Sequence, residues 1–225
     1  KEMLLAKAAE KEVGLYSHPQ WWIDKLRAQY PHHFHAVLNA DNKRPPMTLR
    51  VNQSKINIAA YKQLLANSGM ESRLIWPEAL MLNKPVGVEK LPGFNDGLVS
   101  IQDAGAQLAA PLLDVQQGMR VLDACAAPGG KSGHLLELAD ISLTVLDNNK
   151  SRLIQVKQNL ERLQKRAACI VCADAAHPDV WWDGKLFDRI LADVPCSSSG
   201  VVCRHPDIKW LRRESDLQKF SVQQQ

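Results

Sequence analysis

A short apolar run, a glycine-containing turn and a helical segment follow one another between Met119 and Ala139. Met119 to Asp123 is predicted to be a buried strand, and Lys131 to Ala139 a helix. The connecting sequence is Asp123-Ala-Cys-Ala-Ala-Pro-Gly-Gly-Lys131. Its glycines let the backbone approach a ligand closely, and the start of the helix offers unpaired N–H groups to a polar group. The pattern therefore indicates a ligand site at the end of a strand.

Predicted strands and helices alternate regularly after Gly97. Further helices are predicted over Ala104–Leu113 and Lys150–Leu163, and further strands over Leu143–Asp147, Cys169–Ala173 and Arg189–Asp193. Such alternation is typical of the α/β class, in which helices wrap a parallel sheet and ligands bind beyond the carboxyl ends of the strands. Four aspartates fall at or just after predicted strand ends: Asp123, Asp147, Asp174 and Asp193.

The first hundred residues follow a different pattern. A helical opening is predicted over Lys1–Glu12, a strand over Met47–Val51 and a helix over Ile58–Ser68 that ends at Gly69. We therefore predict a helical linker over residues 1–40, a small α+β module over 41–97 and an α/β domain over 98–225.

Asp147 suggests the class of ligand. It comes 17 residues after Gly130, near the offset of roughly 20 residues at which an acidic side chain meets a ribose hydroxyl in nucleotide-binding βαβ units. The turn has neither the phosphate-loop pattern nor the G-x-G-x-x-G pattern. A nucleoside-containing cofactor without an obligatory phosphate is the prediction.

Charge and cysteine content add two expectations. The net charge is only +4, but Asn42–Met70 contains five basic residues and no acidic one, so this segment is either a phosphate-binding surface or a solvated face. Five cysteines, no signal pattern and no membrane-length apolar run fit a cytoplasmic protein. Cys169 and Cys172 lie in a predicted strand and are expected to be core thiols, and no metal site is expected.

Three motifs resemble those of the Sun-type RNA cytosine-5 methyltransferases, most closely the bacterial members that act on 16S ribosomal RNA. They are Ala124-Cys-Ala-Ala-Pro-Gly-Gly-Lys131, Asp193-Val-Pro-Cys-Ser-Ser-Ser-Gly200 and Arg204-His-Pro-Asp-Ile-Lys-Trp-Leu-Arg-Arg213. The resemblance extends to Arg44-Pro-Pro-Met-Thr-Leu-Arg-Val-Asn52 and so covers nearly the whole chain. It implies a class I, Rossmann-like methyltransferase sheet preceded by a small α+β RNA-recognition-like module.

The resemblance also implies a cofactor and site residues. The cofactor is S-adenosylmethionine, with Asp147 on its ribose, Asp174 near its adenine and Asp193 at the junction with the target base. The turn around its methionine part comprises Cys125, Ala126, Ala127, Pro128, Gly129, Gly130 and Lys131. In the reaction, a thiolate adds to C6 of cytosine so that C5 becomes nucleophilic enough to take the methyl group.

The resemblance implies catalytic roles for Cys196 and Asp193 and 16S ribosomal RNA as the substrate. The full-length enzyme is expected to be a monomer. The RNA is expected to be contacted by basic residues in two segments: Lys43, Arg44, Arg50, Arg204 and His205.

One family motif is absent from the 225 residues. RNA methyltransferases of this type carry a second cysteine in a Thr-Cys-Ser motif, usually the nucleophile, whereas Cys196 corresponds to the cysteine assigned to product release. No Thr-Cys pair occurs here, and a family sheet of order 3-2-1-4-5-7-6 would be incomplete in its C-terminal half. The chain is therefore expected to be a fragment lacking the usual nucleophile. An RNA-binding fragment without activity is the alternative, and a nucleotide-dependent oxidoreductase is disfavoured by the glycine spacing.

Overall fold

The structure, a computed structural model, describes residues 11–76 and 79–224. It divides into two compact units. Pro46–Val194 forms the central unit, and the described residues up to Pro45 and from Pro195 onward form the terminal unit. The predicted boundary at residues 97 and 98 lies inside the central unit. The predicted opening helix lies outside the described residues except for its last two positions.

The helices and strands are numbered in chain order. The first half of the chain contains α1 (Glu12–Tyr16), α2 (Gln20–Gln29), α3 (Phe34–Asp41), β1 (Met47–Val51), α4 (Ile58–Asn67), β2 (Ser72–Trp76), β3 (Ala79–Leu82), β4 (Val99–Ile101), α5 (Ala104–Gln107) and α6 (Ala109–Leu113). The second half contains β5 (Arg120–Ala124), α7 (Gly130–Leu138), β6 (Ser142–Asp147), α8 (Lys150–Leu163), β7 (Cys169–Cys172), α9 (Pro178–Trp181), β8 (Arg189–Ala192), α10 (Ile208–Leu211) and α11 (Glu214–Gln223).

The small α+β module contains an antiparallel sheet of order β2-β3-β1-β4. Leu49 of β1 packs with Tyr61 and Leu65 of α4 in a buried cluster. The helix starts where the Asn57 side chain accepts a hydrogen bond from the N–H of Ala60, and it ends before Gly69, whose φ is +73°. Both predicted elements of this module are confirmed.

The α/β part of the central unit contains a parallel sheet of order β7-β6-β5-β8. This order matches strands 3, 2, 1 and 4 of the predicted sheet. Among the described residues no strand pairs with the outer edge of β8, where Ile190 is 56% exposed. The fold class predicted from the sequence is confirmed.

Two helices show how far apolar spacing predicts local structure. In α8 the side chains at helical spacing are all buried, as predicted: Leu153, Val156, Leu160 and Leu163. The helix predicted over residues 104–113 instead divides into α5 and α6 at Leu108. Pro111 lies in the second of these helices and has no N–H to donate to the preceding turn, which explains the interruption.

The thiols of Cys169 and Cys172 correct one prediction. Their segment forms β7 as expected, at one edge of the sheet, but both residues are exposed rather than part of the core. All five cysteines are free. Among the described residues, no helix is long and apolar enough to cross a membrane.

The terminal unit is helical and joins segments from both parts of the chain. Its core contains Trp22, Ile23 and Phe34 from the first segment and Val202 from the second. His18 is fully buried, and its ring nitrogens lie 2.6 Å from the carbonyl oxygen of Tyr16 and 3.2 Å from a carboxylate oxygen of Asp41.

Candidate active site

The parallel sheet gathers three aspartates at its carboxyl edge. Asp123 lies in β5 beside Val145 of β6 and Leu191 of β8, so these three strands end at the same edge. Asp147 is the last residue of β6, and Asp193 directly follows β8. These three aspartates lie at or just after strand ends, as predicted, and the fourth, Asp174, follows the end of β7 by two residues.

The turn after β5 is fixed by backbone contacts to β6 and α8. The N–H of Ala127 donates to Oδ2 of Asp147 at 3.1 Å, and Arg152 of α8 donates to the carbonyl oxygen of Ala127. Gly129 has a φ of +94°, and a Cβ at this position would lie 3.0 Å from Cγ1 of Val156. Only glycine therefore suits both the conformation and the close approach to α8.

Asp123 lies beneath this turn and is fully buried. The hydroxyl of Ser132 donates to its Oδ2 at 2.6 Å, whereas no described group bonds its Oδ1. Burial raises the pKa of the Asp123 carboxyl to about 6, because the charged form loses its hydration. A buried acceptor with unused capacity thus lies next to the turn.

Negative charge surrounds Cys125. Burial raises the pKa of its thiol first, and the carboxylates of Asp147, Asp174, Asp123 and Asp193 raise it further. Burial disfavours a charge of either sign, but the field of the carboxylates, which disfavours the thiolate, favours a cation at the same place. Cys125 is therefore unsuited to nucleophilic attack and well placed to line a site for a positively charged group.

Lys131 and Asp193 form an ion pair across this edge. Lys131 is the second residue of α7, and Asp193 follows β8, so the pair joins the turn to the segment that leads to Cys196. Both residues were predicted to belong to the site.

Arg50 corrects the set of predicted RNA-binding residues. Its side chain is 1% exposed and makes a two-pronged ion pair with Glu137 of α7, with N···O distances of 2.8 and 3.1 Å. It also donates to the carbonyl oxygen of Gly130 at 2.8 Å and to the side chain of Gln102. Because it is buried, Arg50 has no surface to offer to a phosphate. It joins the small module to α7, the helix that follows the turn after β5.

The other predicted RNA-binding residues lie in the terminal unit. Lys43, Arg44 and His205 are exposed, and Arg204 is half-buried. Cys196 is in the same unit and is also exposed.

Ser132 and Arg152 were not predicted. Ser132 is fully buried against Asp123, and Arg152 lies 3.7 Å from Oδ2 of Asp147 besides bonding Ala127. The sequence signal for Arg152 is its place three residues after Asn149, whose side chain caps α8 and thereby fixes the first turn of the helix beside Asp147.

Comparison with known proteins decides the family. The family model described as 16S rRNA methyltransferase RsmB/F matches residues 110–225, which is more than half of the chain. The chain belongs to this family. A second model, described as the RsmF/B-like ferredoxin-like domain, matches residues 18–89. The RsmB/F family comprises S-adenosylmethionine-dependent RNA cytosine-5 methyltransferases.

The names of curated relatives agree with this family assignment. The RsmB/F chain is 44% identical to the probable ribosomal RNA small subunit methyltransferase B of Coxiella burnetii, over 98% of this chain and 53% of the relative. It is 45% identical to ribosomal RNA small subunit methyltransferase B of Vibrio cholerae, over 96% of this chain and 50% of the relative. The chain spans about half the length of these relatives.

Solved structures support the fold of the RsmB/F chain. The crystal structure of PH0851 superposes with a TM-score of 0.87 at 27% identity, covering 94% of this chain and 50% of that one. NSun6 from Pyrococcus horikoshii superposes with a TM-score of 0.79 at 18% identity, covering 92% and 77%. The latter likeness concerns the fold alone.

The residues at the carboxyl edge fit the family's cofactor. S-adenosylmethionine carries a sulfonium and an ammonium group, and the carboxylates around Cys125 offer a field of the opposite sign. Asp147 ends β6, where a ribose hydroxyl is bound in related folds. Asp123 adds a buried oxygen that lacks a described partner.

Proposed function

We propose that the protein transfers a methyl group from S-adenosylmethionine to C5 of a cytosine in 16S ribosomal RNA. The observation that carries the proposal is the group of carboxylates around Cys125 at the edge formed by β5, β6 and β8. Family membership supports the reaction class, and the names of the curated relatives support the substrate.

The cofactor would be held by three parts of the edge. The turn from Cys125 to Lys131 would hold its methionine part, Asp147 would accept from its ribose hydroxyls, and Asp174 would bind near its adenine. When bound, S-adenosylmethionine supplies an electrophilic methyl group. Asp147 already accepts from the N–H groups of Ala127 and Asn149, which fixes the orientation of its carboxylate.

The chemistry on cytosine requires a thiolate and a base. Addition of a thiolate to C6 makes C5 nucleophilic, C5 takes the methyl group, and a base removes the C5 proton so that the C6–S bond breaks and the thiolate leaves. We assign Asp193 to the junction of cofactor and base, and Cys196 to the release step. The target base has to leave its stack to be reached.

The attacking thiol is a separate question, because no Thr-Cys pair occurs in the sequence. We propose that Cys196 is not the attacking thiol. Because the chain spans about half the length of its curated relatives, the full-length gene product is the correct protein for assays of turnover.

A Cys196→Ala variant tests this assignment. With 16S ribosomal RNA and S-adenosylmethionine, the variant of the full-length protein is expected to accumulate a covalent protein–RNA adduct that survives a denaturing gel, since attack proceeds and release does not. Cys203→Ala is the matched control and is expected to turn over normally. Loss of both adduct and methyl transfer in Cys196→Ala would instead identify Cys196 as the nucleophile.

We further propose that Lys43, Arg44, Arg204 and His205 contact the RNA backbone. Each lost phosphate contact should lower the slope of log affinity against log salt by about one unit. The monomeric state and the cytoplasmic location remain predictions from the sequence.

A further inference from the structure

The excess positive charge of the chain lies entirely in the terminal unit. The described residues of that unit include 10 basic and 6 acidic ones, whereas the sequence from Pro46 to Val194 contains 16 of each. Net charge on one unit favours a polyanionic partner there rather than along the whole molecule. Ribosomal RNA, the proposed substrate, is such a partner.

A cavity of about 250 Å³ opens within this unit. Its walls include Trp21, Trp22, Lys25, Ser197 and Arg212. The two indole rings lie 5.3 Å apart at an angle of 44°. Trp22 is 6% exposed and belongs to the core of the unit, whereas Trp21 is half-buried and so keeps part of its ring accessible. The core therefore holds an accessible aromatic surface in a fixed orientation.

The same cavity adjoins the turn that carries Cys196. Ser197, the next residue, lines the cavity, and its carbonyl oxygen accepts from Nε of Arg212 at 3.0 Å. On the other side of the cysteine, the carbonyl oxygen of Pro195 accepts from the side chain of Gln224 at 2.7 Å. These two hydrogen bonds hold the turn against the helical segments that form the cavity.

We infer that the cavity is a subsite for one unstacked RNA base, the neighbour of the target cytosine, stacked on Trp21. This inference rests on the proposed function. When the target cytosine leaves its stack, the neighbouring base loses a stacking partner. The indole face of Trp21 would take the place of that partner. The volume is below the roughly 300–1,000 Å³ of pockets for drug-sized ligands, which suits a single base. Arg212 offers positive charge to the adjoining phosphate, whereas the ammonium group of Lys25 is paired with Glu214 at 3.2 Å.

The test compares Trp21→Leu with Trp210→Leu in the full-length protein. Trp210 is in the same unit, is 57% exposed and does not line this cavity. The probe is a short single-stranded RNA with one cytosine, and its affinity is measured by fluorescence anisotropy. Stacking of one base is worth about 1–3 kcal/mol, so Trp21→Leu should weaken binding by roughly 5- to 150-fold. Trp210→Leu should change it by less than about twofold.

An abasic RNA identifies the base that occupies the cavity. Removing the base on one side of the cytosine should weaken binding to the wild type as much as Trp21→Leu does, with no further loss when both changes are combined. Trp21→Phe keeps an aromatic face and should retain most of the affinity, which separates stacking from folding. Equal affinities of Trp21→Leu and Trp210→Leu, or additive losses with the abasic RNA, would overturn the inference.

Methyl transfer by the same variants separates this inference from the proposed function. If RNA binds through Trp21 but no methyl group is transferred, the proposed function fails and the subsite stands. If Trp21→Leu methylates 16S ribosomal RNA with an unchanged KM, the function stands and the subsite fails. The affinity for S-adenosylmethionine should be the same in the wild type and all three tryptophan variants.

Discussion

Replacing Arg50 with methionine is expected to destabilise the central unit strongly. Arg50 and Glu137 are 1% and 4% exposed in their side chains, and two hydrogen bonds join them. Removing one partner of a buried pair leaves the other charge without compensation, at a cost of about 3–5 kcal/mol. The contact to the Gly130 carbonyl is lost as well, so the start of α7 loses a tie to β1.

Urea unfolding followed by circular dichroism measures this loss. Arg50→Met should lower the midpoint with little change in the slope, because the exposed area on unfolding is nearly the same. The double variant Arg50→Met with Glu137→Leu removes both charges and should recover at least half of the lost stability. An exposed-residue control, Lys43→Met, should change stability by less than about 0.5 kcal/mol.

The same variants test the role assigned to Arg50. The folded double variant should keep the wild-type salt dependence of RNA binding, whereas Lys43→Met should lower it. A loss below about 1 kcal/mol for Arg50→Met, or a reduced salt slope in the double variant, would refute the argument that Arg50 is a buried structural residue.

Three further predictions concern the cofactor site. Asp123→Asn should gain stability relative to the wild type as pH rises from 4 to 6. Burial raises the Asp123 pKa from 3.8 to about 6, so only the folded state holds the proton in this window and the wild type loses up to about 3 kcal/mol of stability. Unfolding at several pH values measures the difference in stability, and a pH-independent difference would contradict the prediction. Gly129→Ala should lower the free energy of unfolding by about 1–3 kcal/mol, more than Gly118→Ala does, because both glycines have positive φ but only Gly129 faces Val156. Thermal unfolding compares the two variants, and equal losses of stability would exclude the steric argument. Asp147→Asn should weaken S-adenosylmethionine binding about tenfold in calorimetry by loss of a charge-assisted bond, and an unchanged affinity would remove Asp147 from the site.

The sequence predicted those parts of the fold that depend on neighbouring residues. The apolar residues of α8 recur at helical spacing, which predicts its buried face. The end of α4 could be predicted from Gly69, which has a positive φ. The positions of Asp147 and Asp193 could be predicted from the ends of their strands, because parallel strands end at one edge of a sheet.

Contacts over long sequence separation could not be predicted in this way. Arg50 lies in a basic segment that resembles a phosphate-binding surface, and its partner Glu137 is 87 residues away. Val202 joins the core around Trp22 without any local signal of that neighbour. Pairings of this kind depend on tertiary packing, which neither spacing nor local charge records.

Nucleoside analysis of methylated RNA tests the central claim most directly. The full-length protein is incubated with 16S ribosomal RNA and S-adenosylmethionine labelled in its methyl group, and the RNA is digested to nucleosides. We predict that the label is recovered in 5-methylcytidine and that Asp193→Asn reduces it strongly. Label in another nucleoside, or none despite bound S-adenosylmethionine, would contradict the account.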